Sequence, residues 1–382
     1  MRNKNFLVLI ILLGISLFFN VLFVISDIQF EMKAKAIIKK DITVSEVLKS
    51  KEEFRRQLMP TLKAHVVSGR RIEFPTTKMF ISERLKSIIT PQKKYPLLYW
   101  SEPSWAFVAL LEDAMIHGDK KNIEDLTDVF ESVLNTPFEI VDQSTMGIGA
   151  IYLDSLKTDS KYKAYADNLF KWLKDRDGDY GIIYGNDNSR SIVDALGMVV
   201  PFLMKYAQAY HCEEAEKLAY KTIEKYVEYG CDDSTGVPAF SYRTDSPHIK
   251  MGMTNWGRGI SWFCLGLVSI DESRLSTAAF EKVTAFKSTI YELWKQERSF
   301  SQFVGENNKK DLSAELPLLY YLYKKQRIEL SRDDVLHYSQ YMHDGEMYNS
   351  SSSNSGIIRY GVSYGPNMLS DALMLKLINE VE

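Results

Sequence analysis

From about residue 46 to its end, the chain places apolar residues three and four positions apart. That is the period of helices packed by one face. The pattern predicts helices over 46–64, 102–117, 119–134, 143–157, 160–174, 191–210, 213–229, 256–270, 276–297, 311–326, 331–342 and 366–381. No stretch sustains period-two alternation, so the fold class is all-α. Short strands have room only in the long loops, for example around Gly236–Tyr242.

The connections carry more information than the helices. From the 102–117 helix onward, short ones at His117-Gly118, Thr158-Asp159, His211-Cys212, Asp271–Arg274 and Arg327–Leu330 alternate with long ones at 135–142, 175–190, 230–255, 298–310 and 343–365. Short connections join antiparallel neighbours. Strict alternation is what a ring of helical hairpins produces, with every long loop at the same end. Helices entered from long loops are also more apolar all round, as in Ile192–Met204 and Trp262–Ile270, which assigns them to an inner layer. The chain has no fixed-period repeat, which argues against a solenoid.

The N-terminus follows a different rule. Arg2 and Lys4 precede an apolar run from Phe6 to Ile25, broken only by Gly14, Ser16 and Asn20. A run of roughly 20 apolar residues is long enough to span a bilayer as a helix, and a positive flank keeps that end in the cytoplasm. A cleaved signal peptide is the rival reading, but the nearest small-x-small site, Ala34-Lys35-Ala36, lies too far along. The expected organisation is a single-pass anchor over 1–30, a charged stalk over 31–45, and one helical domain over 46–382. That domain would sit outside the cell membrane, with a fully secreted protein as the alternative.

Composition narrows the partners. Charged residues make up 25% and the net charge is −3, without the cationic surplus of a general nucleic-acid binder. Cys212, Cys231 and Cys264 show no CxxC spacing and allow one disulfide at most. Cys212 and Cys264 fall in apolar helical patterns and read as core. Nothing resembles a zinc site.

If the long loops share one face, the residues at their ends meet in one cleft. Asp142 opens a helix before Gln143 and Gly147; it is either an N-cap or a carboxylate aimed into the ring. Asp194 lies in an otherwise apolar run. Burial without a partner would raise its pKa, as a general acid requires; the alternative is a structural pair with Arg190. The segment from Asn255 through Trp256, Arg258 and Trp262 offers two glycines for close approach, a guanidinium able to clamp a carboxylate, and indoles able to stack on a sugar or fill a core. Asp233–Gly236, leading to Tyr242, and Asp311–Glu315 add two further polar entries.

These segments resemble the unsaturated uronyl hydrolases of glycoside hydrolase families 88 and 105. Trp256-Gly257-Arg258-Gly259-Ile260-Ser261-Trp262 is similar to their WGRGxxW signature. Asp142 with Gly147, Asp194 with Met198 and Pro201, Asp233–Gly236, and Asp311–Ala314 follow in the family's order over roughly residues 100–325. Gln143 replaces a His of the family pattern, and Phe240 and Tyr242 stand where the family often has another.

The resemblance implies an (α/α)6 six-hairpin barrel and hydration of a 4,5-unsaturated uronic acid at the end of an oligosaccharide. Asp194 would be the general acid/base and Asp142 its assistant. Trp256, Arg258, Trp262, Gln143, Tyr242 and Asn255 would bind substrate, with no cofactor or metal. The partners expected are an oligosaccharide or polysaccharide, and a membrane through the N-terminal helix. The alternative is a membrane-anchored six-hairpin protein of exopolysaccharide biosynthesis or export that trims or binds the polymer.

Overall fold

The computed structural model describes residues 2–38, 47–69, 96–157, 159–184, 189–305, 310–351 and 364–382. They fall into two compact units. The first includes α1 (Arg2–Ile38). Its apolar side chains, among them Ile10 to Leu13 and Leu17 to Phe19, are exposed. Asn20 turns its amide back onto the Ser16 carbonyl at 2.7 Å. Among the described residues no helix is long and apolar enough to cross a membrane. The expected transmembrane anchor is therefore not supported by the described residues. The expected stalk begins inside α1, and its remainder lies largely outside the described residues.

The second unit holds α2 (Lys51–Ser68), α3 (Ser101–Ile116), α4 (Lys120–Glu131), α5 (Ser144–Lys157), α6 (Ser160–Lys174), α7 (Asp194–Tyr210) and α8 (Glu213–Gly230). It continues with α9 (Gly257–Val268), α10 (Thr277–Glu297), α11 (Leu312–Lys324), α12 (Arg332–His337) and α13 (Met368–Glu380). Helices α3, α5, α7, α9, α11 and α13 pack each on the next, and α13 returns to α3, so they close a six-membered inner ring. Each is buried around most of its circumference, as in α7 from Ala195 to Leu203. Outer helices bury one stripe only, as in α6 through Tyr162, Tyr165, Ala166, Leu169, Phe170 and Leu173.

Five hairpins are sequential. The sixth joins the two ends of the unit: α2 packs on α13 and α3. Arg55 on α2 pairs with Asp113 on α3 at 2.6 Å, and Asn379 on α13 donates to the same carboxylate at 3.1 Å. Two glycines let α7 and α9 approach closely. A Cβ on Gly197 would meet the Trp262 carbonyl oxygen at 2.7 Å, and one on Gly266 would meet the Leu196 carbonyl oxygen at 3.0 Å.

At the short-loop end, paired charges link the inner helices. Lys376 meets Glu112, Tyr152 donates to Glu112 at 2.6 Å, and the Lys205 ammonium lies 4.6 Å from the centre of the Tyr152 ring. Tyr320 and Lys324 both reach Glu380. The buried Lys376 ammonium persists because it is paired in this way.

Two helix starts differ most from the sequence reading. The first outer helix spans Lys51–Ser68 rather than 46–64, because Ser50 caps it by accepting from Glu53 N at 3.1 Å. The helix expected from residue 191 begins at Asp194, because Arg190–Ile192 is strand β1. It pairs antiparallel with β2 (Ser241–Arg243), which pairs with β3 (Lys250–Met251). Cys264 is buried as expected, whereas Cys212 is only half-buried, since it lies outside the helices at the N-cap of α8; all three cysteines are free.

Candidate active site

Every inner helix starts at the long-loop end, so six N-termini face one mouth. Unpaired N–H groups there favour negative charge, and four of the first turns carry the site. Asp194 is the first residue of α7. The strand-to-helix junction before it is held by Val193 N donating to the Phe240 carbonyl at 3.0 Å. The Asp194 side chain is half-buried, and its Oδ1 accepts no hydrogen bond among the described residues. Burial, then the charge of Asp142, pushes its pKa up to about 7; Arg258 opposes the rise and Glu102 adds to it.

Asp142 sits in a single 3₁₀ turn, Val141–Gln143, that packs on α7. It is buried. Its Oδ2 accepts from the Ser101 amide at 3.4 Å, and its Oδ1 has no hydrogen-bond partner among the described residues. Burial pushes its pKa up to about 6, restrained by hydrogen bonds from the Tyr184 hydroxyl and Ser101. Tyr184 is held well above the ordinary tyrosine range by burial and by the charges of Asp142 and Asp194. Both carboxyls are thus held well above the ordinary aspartate range, and the charge of Asp142 makes Asp194 the harder of the two to ionise. Two carboxyl groups with pKa values pushed apart divide naturally into base and acid.

Arg258 lies in the first turn of α9 and is wholly buried. Its Nη2 is 3.0 Å from the Glu102 carboxylate, and Asn367 Nδ2 donates to the other oxygen of Glu102 at 3.4 Å. Trp256, half-buried, caps α9 and meets Phe240 edge to face at 5.4 Å. Asp142, Asp194, Arg258 and Trp256 are thus at one mouth.

The remaining sequence candidates are placed elsewhere. Gln143 is buried and closes its own loop, accepting from Glu139 N at 2.7 Å and Ile140 N at 3.1 Å and donating to the Pro137 carbonyl at 3.1 Å. Trp262 is buried against Gly197 in the wall between α7 and α9. Tyr242 is wholly buried among Tyr180, Tyr226 and Tyr229, with ring centres 5.3 to 6.2 Å away. Asn255 ties its loop to the next, accepting from Val304 N at 2.8 Å.

The alternative, a structural pair of Asp194 with Arg190, is not seen among the described residues, because Arg190 is exposed on a strand while Asp194 opens a helix. Asp233 is exposed and pairs with Lys282 at 2.6 Å, and Asp311 caps α11 through Ser313 N. Glu315 anchors Phe300 N, Tyr338 and Lys310.

Sequence reasoning missed Glu102, Tyr184 and Asn367. Glu102 carried a usable signal, an acidic residue in the first turn of an inner helix entered from a long loop, as at Asp194. Tyr184 and Asn367 carried none beyond their place in long loops. A groove of about 720 Å³ is lined from Pro201 to His211 along α7, toward the short-loop end, and takes no part in this chemistry.

The sequence profile of Glycosyl Hydrolase Family 88 matches residues 91–315, more than half of the chain. No curated protein matches in sequence. Among solved structures, a family 105 glycoside hydrolase of C. acetobutylicum ATCC 824 is 16% identical with a TM-score of 0.60, covering 78% of this chain and 98% of its own. A Klebsiella pneumoniae protein described as a possible member of family 105 is 14% identical with a TM-score of 0.66, covering 88% and 94%. A variant of UGL with dGlcA-Glc-Rha-Glc is 14% identical with a TM-score of 0.60, covering 84% and 95%. These structural likenesses concern the fold: a ring of six hairpins.

Proposed function

The chain belongs to Glycosyl Hydrolase Family 88 and is a glycoside hydrolase, and from that premise we propose that it removes a 4,5-unsaturated uronic acid from the end of an oligosaccharide by hydrating its vinyl ether. One arrangement carries the reading: two carboxyls at one mouth, Asp194 and Asp142, both held well above the ordinary aspartate range by burial, with the charge of the Arg258 guanidinium acting on Asp194. A fold neighbour that holds a saccharide beginning with dGlcA lends support.

In this mechanism Asp194 donates its proton to C4 of the ring double bond, and positive charge develops across C5 and O5. Water adds at C5 and gives its proton to the Asp142 carboxylate. The hemiketal so formed opens by breaking C5–O5, which leaves a ketone at C5 and a hemiacetal at C1. The hemiacetal collapses to the aldehyde and releases the next sugar with its oxygen. Transfer of the proton from Asp142 to Asp194 restores the starting state. The net reaction consumes one water. Acid catalysis by a positioned carboxyl contributes about 10²- to 10⁴-fold.

The test is loss of ultraviolet absorbance from the conjugated C4=C5 carboxylate, with a panel of lyase-generated unsaturated oligosaccharides. Loss with the wild-type protein and none with Asp194→Asn is the expected result. No loss across the panel with glycan binding retained would remove the hydrolase reading and favour a role in polysaccharide assembly.

A further inference from the structure

Glu102 opens α3 at the mouth and has no task in the mechanism above. Its carboxylate nevertheless occupies the one place where a uronate carboxylate would gain most, 3.0 Å from Arg258 Nη2. The two partners are not equivalent. Arg258 is wholly buried, whereas Glu102 is 16% exposed, on a flexible side chain whose other oxygen accepts from Asn367 at 3.4 Å. A guanidinium removed from water needs an anion beside it. If one partner leaves, it is Glu102, which reaches solvent.

The surrounding charges sharpen the point. Glu102, Asp142 and Asp194 crowd one guanidinium, and the charges of Asp142 and Glu102 already disfavour ionisation of Asp194. A fourth carboxylate cannot settle beside Glu102 without repulsion. It can replace it, since the guanidinium then exchanges one anion for another. A sugar lacking a carboxylate has nothing to offer Arg258, and Glu102 stays where the C6 group would lie.

We propose that Glu102 is a displaceable internal counterion that holds Arg258 while the site is empty and yields to the carboxylate of the unsaturated uronide, so that it sets selectivity for the free acid over neutral forms. This rests on the uronide reading above. Glu102 is a specificity residue acting through Arg258 and is not a proton donor in the reaction.

The probes are a 4,5-unsaturated glucuronyl disaccharide and its C6 methyl ester, each assayed for KM and kcat with the wild-type protein, Glu102→Gln and Glu102→Asp. The wild-type protein should prefer the acid. Glu102→Gln removes the competing charge, so KM for the acid should fall roughly tenfold, with a smaller change in kcat and no matching gain for the ester. Glu102→Asp keeps the charge on a shorter tether and should change KM in the same direction by less, which keeps the test open if the Gln variant folds poorly. A rise in KM for the acid in both variants, or equal responses of acid and ester, overturns the counterion role while leaving the uronide reading intact. Failure of every protein, wild type included, to act on either probe overturns both.

Discussion

Replacing Asp194 by Asn separates the chemical role of this residue from its structural cost, because the two effects run in opposite directions. Asn is nearly isosteric, carries no proton to donate to C4, and cannot ionise. The first consequence is a loss of kcat of about 10²- to 10⁴-fold, the usual contribution of a general acid. The second follows from burial. An ordinary aspartate has a pKa of 3.8, and here it is pushed up to about 7. Between those two values the folded protein holds a proton that the unfolded chain has lost. Stability therefore falls as pH rises through this window, and the loss is complete above about 7. A rise of about three pH units corresponds to at most about 4 kcal/mol, and the residual solvent contact of Asp194 reduces this to something on the order of 2–3 kcal/mol. Asn escapes the penalty. The variant should thus be nearly inactive in the absorbance assay, yet gain stability relative to wild type on going from pH 5 to pH 8, read by thermal or urea unfolding at both values. Activity within tenfold of wild type refutes the acid role. A stability difference that is the same at pH 5 and pH 8 refutes the claim that an ionised Asp194 is costly.

Other expectations follow from the same geometry. Activity should trace a bell with its optimum between about 6 and about 7, declining below as Asp142 takes up a proton and above as Asp194 loses one; a kcat–pH profile that stays flat from 5 to 8 contradicts the division of roles. Trp262→Ala should cost about 3–5 kcal/mol in urea unfolding while leaving KM near wild type, because the ring fills the wall between α7 and α9. Trp256→Ala should do the reverse, raising KM with less effect on stability. Gly197→Ala should destabilise by about 1–3 kcal/mol, since its Cβ would lie 2.7 Å from the Trp262 carbonyl oxygen, an atom of the backbone that cannot rotate away.

Three of the expected substrate-binding residues are buried, and for one cause. Gln143, Tyr242 and Trp262 lie within or beside segments that also supply residues at the mouth, and their types suit a sugar site as well as a core. Periodicity assigns each to a helix or loop but does not say which way a side chain points at the rim. Gln143 turned inward to satisfy its own loop, Tyr242 was absorbed by three other tyrosines, and Trp262 lies one turn below Arg258, far enough to leave the mouth. The membrane anchor illustrates the converse: composition and flanking charge read convincingly, yet the described helix is not long and apolar enough to cross a membrane.

The sequence alone determined what depends on near neighbours: the helical period, the alternation of short and long connections, the inner layer from its all-round apolar helices, and a mouth where Asp142, Asp194 and Arg258 begin successive inner helices. These are local properties, written within a few turns of chain. Only the tertiary structure decided what depends on ring closure. It made α2 the outer partner of α13, because Arg55 and Asn379 meet at Asp113 across most of the chain's length. It brought Glu102, Tyr184 and Asn367 to residues far from them in sequence. It also set the proton affinities of Asp142 and Asp194, since burial and opposing charges arise only when several helix ends converge on one small volume with little water.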